Sequence, residues 1–165
     1  MINSLMRWTG LFILVFILQT TLVPVIAVFG FKPDLLIVTL FFLAIRKGGS
    51  ATVFAGFLLG LAQDFYAPEI LGQHALAKSV IAYFAGLFNE KMMRLDPFTQ
   101  LALLFTTFIL HDAIYFTVEV VQTGAPFQTV GTRLLGTTLA RALYSLFFAV
   151  LPTFREYLFT SDNRR

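Results

Sequence analysis

The chain contains no cysteine among its 165 residues. Disulfides, thiol nucleophiles, Cys-ligated zinc and iron–sulfur clusters are therefore excluded. Charge is scarce too: Asp, Glu, Lys and Arg make up 13% of the residues, against about a quarter in ordinary soluble domains. No phosphate-cradling glycine loop or ATP-binding motif is present, and no nucleophile stands with a base. Segments of alternating polarity, the mark of a membrane β-barrel, are missing. No low-complexity tract or long linker divides the sequence, so residues 1–165 read as one helical membrane domain without a soluble module.

The bulk of the chain is apolar instead. Hydrophobic residues make up 58%, 20 of them Phe, and the mean hydropathy is +0.80. A soluble fold of this size could not hide that much apolar surface, so lipid must be the solvent for much of it. Lipid cannot satisfy backbone N–H and C=O groups, and with barrels excluded the spanning segments must be helices. The net charge of +3 and pI near 9.5 resemble those of a nucleic-acid binder. The basic residues sit between apolar runs rather than in a stripe, which points to membrane topology and to no nucleic-acid partner.

Six apolar runs predict an all-α polytopic protein with helices near 8–29, 33–45, 51–66, 74–88, 98–121 and 132–151. The first competes with a signal peptide cleaved after Val25-Ile26-Ala27; its length and the hydrophobic sequence beyond favour an uncleaved helix. The second comes after a turn in which Pro33 fits the first helical turn and Asp34 complements the helix N-terminus. Its apolar part, Leu35 to Ile45, covers only about 16 Å of a ~30 Å hydrocarbon core. Pro68, Glu69 and Gly72 mark the loop before the fourth run, and Pro152 ends the sixth. Six spans put Arg7, Arg46, Lys47, Lys91, Arg94, Arg155, Arg164 and Arg165 on one side, eight of the 12 basic residues. Excess Lys and Arg marks the cytoplasmic side, giving N-in and C-in termini, with Trp8, Tyr66 and Tyr157 as interfacial anchors.

The densest polar stretch is 56–86. Gly56 and Gly60 lie four apart, a spacing that lets helix backbones approach closely, within one bundle or in a homo-oligomer. Gln63 and Asp64 end the third run, and His74 and Lys78 open the fourth, so Asp64 and Lys78 meet at one depth. On the fifth and sixth runs Asp112 and Arg141 differ in depth by about 5 Å, within reach of an Arg side chain. Glu119 and Arg133 face each other near the outer surface. An unpaired charge at the bilayer centre costs at least ~2.5–3.5 kcal/mol, so partners at matching depth are expected. Such pairs either fix helix packing or contact a ligand or partner. His111-Asp112 is not expected to bind metal, because neighbouring helical residues diverge by about 100° and nothing clustered completes a site. No cofactor is implied, and the chemistry reads as non-enzymatic.

Lys32-Pro33-Asp34-Leu35-Leu36, the basic break Arg46-Lys47-Gly48, Gly56-Phe57-Leu58-Leu59-Gly60-Leu61-Ala62-Gln63-Asp64 and Leu71-Gly72-Gln73-His74-Ala75-Leu76-Ala77-Lys78 together resemble the MreD family of bacterial rod shape-determining membrane proteins. The resemblance implies a subunit of the cell-elongation machinery for peptidoglycan synthesis in the inner membrane. Its partners would be MreC, the actin-like MreB, and RodA with its transpeptidase. It also implies a fold similar to the substrate-binding subunits of energy-coupling-factor transporters. The alternative function implied by that likeness is a binding subunit for a small molecule or lipid-linked precursor.

Overall fold

The computed structural model describes residues 2–28, 30–66, 71–89 and 95–162, with side chains between 6 and 154. Pro68, Glu69, Lys91, Arg94, Arg164 and Arg165, and the side chains of Arg155 and Tyr157, lie outside the described residues. The order is α1 (Ile2–Thr21), α2 (Leu35–Lys47), α3 (Gly49–Tyr66), α4 (Gln73–Leu87), α5 (Pro97–Thr123) and α6 (Gln128–Arg133). From α6 the chain passes through a π-helical turn, Leu134–Thr138, into α7 (Leu139–Asp162) without a break. Apart from an isolated bridge between Val28 and Phe31, the described residues form helices and turns.

The short second run is the centre of the fold. Nine of the 13 residues of α2 are buried, and α2 touches α1, α3, α4, α5 and α7. Leu36, Ile37, Leu40, Phe41, Ala44 and Ile45 are almost wholly covered, and all of these but Leu36 pack with Ile81, Leu104, Phe108 and Ala142 from the surrounding helices. A helix that is apolar all round is one enclosed by other helices, and enclosure explains how so short a segment holds its place. Its start is fixed by Asp34, whose carboxylate accepts from the Ile37 amide at 3.0 Å. Its end is Gly48, which at φ 60° lets the chain reverse directly into α3.

Several boundaries differ from the sequence expectation. α1 stops at Thr21 rather than near residue 29, because Val23 precedes Pro24 and is pushed out of helical geometry. Pro33 precedes the Asp34 cap instead of occupying the first turn of α2. Gln19 holds that entry, donating to the Pro33 carbonyl at 3.1 Å and accepting from the Leu35 amide at 2.9 Å. The last long helix starts four residues early, at Gln128, and does not end at Pro152. Proline deletes a single helix N–H; the flanking turns keep theirs, and the Thr153 hydroxyl donates back to Ala149 at 2.8 Å. α5 and α6–α7, each 27 residues over Pro97–Thr123 and Gln128–Phe154, are long and apolar enough to cross a membrane.

α3 and α4 form the closest helix pair. A Cβ on Gly56 would lie 2.6 Å from the Lys78 carbonyl, and one on Gly60 would lie 2.3 Å from that of His74. Both glycines are therefore spent inside the bundle, where only hydrogen fits between the two backbones. Large apolar side chains such as Phe54, Phe57, Phe147 and Leu151 point outward, while Lys78, His111 and Asp112 are buried. Apolar groups outside and charges inside is the distribution that lipid favours.

Candidate functional site

The buried charges converge where α2, α4, α5 and α7 meet. Arg141 stands between two carboxylates, its Nη2 3.5 Å from Asp34 and 3.6 Å from Asp112. The expected Asp112–Arg141 contact is thus present, but as part of a triad that includes Asp34. Asp112 also accepts from the Thr138 hydroxyl at 2.8 Å and lies 2.8 Å from His111 Nδ1. An ionised carboxylate can only accept, so His111 carries its proton on Nδ1 and leaves Nε2 as an acceptor. Divergent Cβ directions did not keep these neighbours apart; the His111 ring turns onto the adjacent carboxylate. The Asp34 amide donates to Ser145 Oγ at 2.9 Å, a second tie from α2 to α7.

The π-helical turn explains why α7 supplies this face. A π turn inserts a residue and resets the angular register of the helix beyond it. Thr138, at its last position, and Arg141, one turn later, both reach Asp112.

Asp64 has another task than the one its depth suggested. It does not pair with Lys78. Its carboxylate accepts from the amides of Gly72, His74 and Ala75 at 3.0, 2.9 and 3.0 Å. Gly72, at φ 92°, has no side chain to cap α4, so a carboxylate from α3 satisfies the orphan N–H groups and meets the positive helix end. This closes the α3–α4 corner. Lys78 is left fully buried, and its ammonium has no hydrogen-bond or ion-pair partner among the described residues.

His74, on the same face as Lys78 one turn earlier, lies tilted against Tyr115 with ring centres 4.7 Å apart and stacks with the His111 ring at 6.1 Å. Gln73 donates to the Tyr115 carbonyl at 2.7 Å, fastening α4 to α5. His74 Nδ1, His111 Nε2 and Gln63 Oε1 are buried and unpartnered among the described residues. Glu119 and Arg133 form an outlying pair at 2.5 Å. Among the described residues no group of three or more His, Asp or Glu could hold a metal ion.

The family model described as "rod shape-determining protein MreD" matches residues 1–154. The chain belongs to the MreD family. No curated protein and no solved structure matches it. MreD membership assigns the chain a role in bacterial rod shape determination, and the matched span holds every residue of the cluster from Asp34 to Ser145. The site in this MreD chain includes residues that sequence reasoning passed over: Gln73, Tyr115, Thr138 and Ser145. Thr138, Arg141 and Ser145 recur at helical spacing on one face, a polar stripe inside an apolar run that could have marked them.

Proposed function

We infer that this MreD chain is a non-enzymatic scaffold subunit of the cell-elongation complex in the bacterial inner membrane, spanning it six times with both termini in the cytoplasm and docking MreC. The observation that carries this reading is the family match over residues 1–154. The use made of the buried carboxylates supports it. Asp34 and Asp64 cap helices, and Asp112 ties α5 to α7. The Thr138 hydroxyl that donates to Asp112 is fully buried, so it adds to that tie.

Sidedness is supported by packing. The Arg46 guanidinium lies over the Trp8 ring at 5.7 Å, and Asn89 donates to the Lys47 carbonyl at 3.1 Å. The start of α1, the α2–α3 corner and the end of α4 therefore share one end of the bundle, the end that the basic residues make cytoplasmic. The Asp64–Gly72 corner lies at the other end.

Two experiments test the reading. The chain has no native cysteine, so single cysteines report topology directly. Gly72→Cys is expected to react with a membrane-impermeant maleimide in intact spheroplasts, and Gly49→Cys only after permeabilisation. The opposite pattern rejects the orientation. Affinity purification from the native membrane is expected to retain MreC; an MreC-free preparation under conditions that keep the elongation complex intact rejects the scaffold role.

A further inference from the structure

We propose that the groove between α3 and α4 on the outer face of the bundle holds one acyl chain of an anionic phospholipid, with Lys47 and Ser50 at its mouth to take the headgroup phosphate. The groove has a volume of about 710 Å³, within the ~300–1,000 Å³ usual for ligand pockets. It runs from Gly49 to Phe57 on α3 and from Leu87 back to Ser79 on α4. Small residues at Gly49, Ser79 and Gly86 leave the space, and the exposed rings of Phe54, Phe57 and Tyr83 wall it. No Asp or Glu among the described residues lines it.

Length selects the occupant. Eight residues at ~1.5 Å each make the groove about 12 Å long, against ~30 Å for the hydrocarbon core and half that for one leaflet. The next positions on the same two helix faces, Leu61 and Leu76, do not line it. A helix crossing the bilayer, from a partner or from a second copy, needs a track more than twice as long. An acyl chain entering from one leaflet fits the length, and a gap left empty between the walls forfeits their dispersion contacts.

The mouth selects the headgroup. Gly49 opens α3 at the basic end of the bundle, and Lys47, exposed, stands two residues before it, within about 7 Å along the chain. Ser50 lines the groove at the same level and is exposed. An ammonium and a hydroxyl can both donate, and a phosphate oxygen accepts from both. A zwitterionic headgroup brings a cation of its own to Lys47, so a net anionic one is preferred. The proposal needs the chain to lie in a bilayer, but neither its orientation there nor MreC docking. Cysteine labelling that reversed the orientation would move the groove to the other leaflet and leave it intact.

Native mass spectrometry of the full-length chain, released from nanodiscs of equal phosphatidylglycerol and phosphatidylcholine, provides the test. One phospholipid is expected to stay on each chain, with phosphatidylglycerol preferred about fivefold, the effect of one lysine near an anionic surface. Lys47→Gln is expected to keep the bound lipid and bring the preference close to one. Ser79→Phe fills the groove from α4 and is expected to abolish retention; Val53→Phe fills it from α3 and serves if Ser79→Phe does not accumulate. A chain that carries no lipid, no preference in the wild type, an undiminished preference in Lys47→Gln or undiminished retention in the filled groove overturns the proposal. A dimer or a co-purified polypeptide that the groove-filling variants disperse assigns the groove to a protein and overturns it as well.

Discussion

Replacing Arg141 by methionine keeps most of the side chain's length and apolar stem but removes the guanidinium that Asp34 and Asp112 share. Both carboxylates are nearly inaccessible, while the Arg141 side chain is 26% exposed. Breaking a buried ion pair by deleting one partner costs about 3–5 kcal/mol, because the remaining charge is stranded. The partial exposure of Arg141 and its contact distances of 3.5 and 3.6 Å place the loss toward the low end, at about 3 kcal/mol. That corresponds to roughly a 150-fold change in the folding equilibrium. The assay is the thermal midpoint of the detergent-purified chain, read by size-exclusion chromatography after heating, together with steady-state abundance in the membrane. Asp112→Asn removes one stranded charge, so the double variant Arg141→Met/Asp112→Asn is expected to be more stable than Arg141→Met alone. A single variant as stable as wild type refutes the triad as a stabilising unit, and strict additivity of the two changes refutes the coupling between them.

Other parts of the structure give further expectations. Gly60→Ala forces a methyl to within 2.3 Å of the His74 carbonyl, so α3 and α4 must separate at a cost of about 1–3 kcal/mol, seen as a lower thermal midpoint. Gly131→Ala, where an added Cβ meets nothing within 4 Å, is expected to be near neutral. Asp64→Ala strips three amides of their acceptor, and a loss of about 2 kcal/mol or more should appear as faster amide exchange at residues 72–75. Asp96, exposed at the start of α5, has its carboxyl held below the ordinary value by hydrogen bonds from the Thr99 hydroxyl and amide. Because the folded value is the lower one, that stabilisation is complete above the unfolded value of 3.8 and fades as pH falls through the folded value. Asp96→Asn is expected to flatten the acid limb of the melting profile.

How much the sequence revealed depended on whether depth or direction decided the outcome. Depth is set by residue count along a helix, and it brought Asp112 to Arg141 and Glu119 to Arg133. Direction was harder. Asp64 and Lys78 share a level, but Asp64 turns toward the open N-terminus of α4, because Gly72 cannot cap it. Asp34 read as a helix cap, and so it is; its second role beside Arg141 needs the long-range approach of α2 to α7, which no local pattern encodes. The second segment looked too short because length was weighed against the bilayer, whereas five neighbouring helices enclose it. The π turn shifts register by one residue; Gly136 lies within it, but a single glycine inside an apolar run does not announce such a turn.

The central claim is that this chain acts in rod shape determination as a structural subunit of the membrane. Depleting it in its native bacterium and following cell outline by phase-contrast microscopy tests that most directly. Cells are expected to widen and round within a few generations, with rods restored by the wild-type chain and not by Arg141→Met. Cells that remain rod-shaped after the protein has disappeared from the membrane contradict the account.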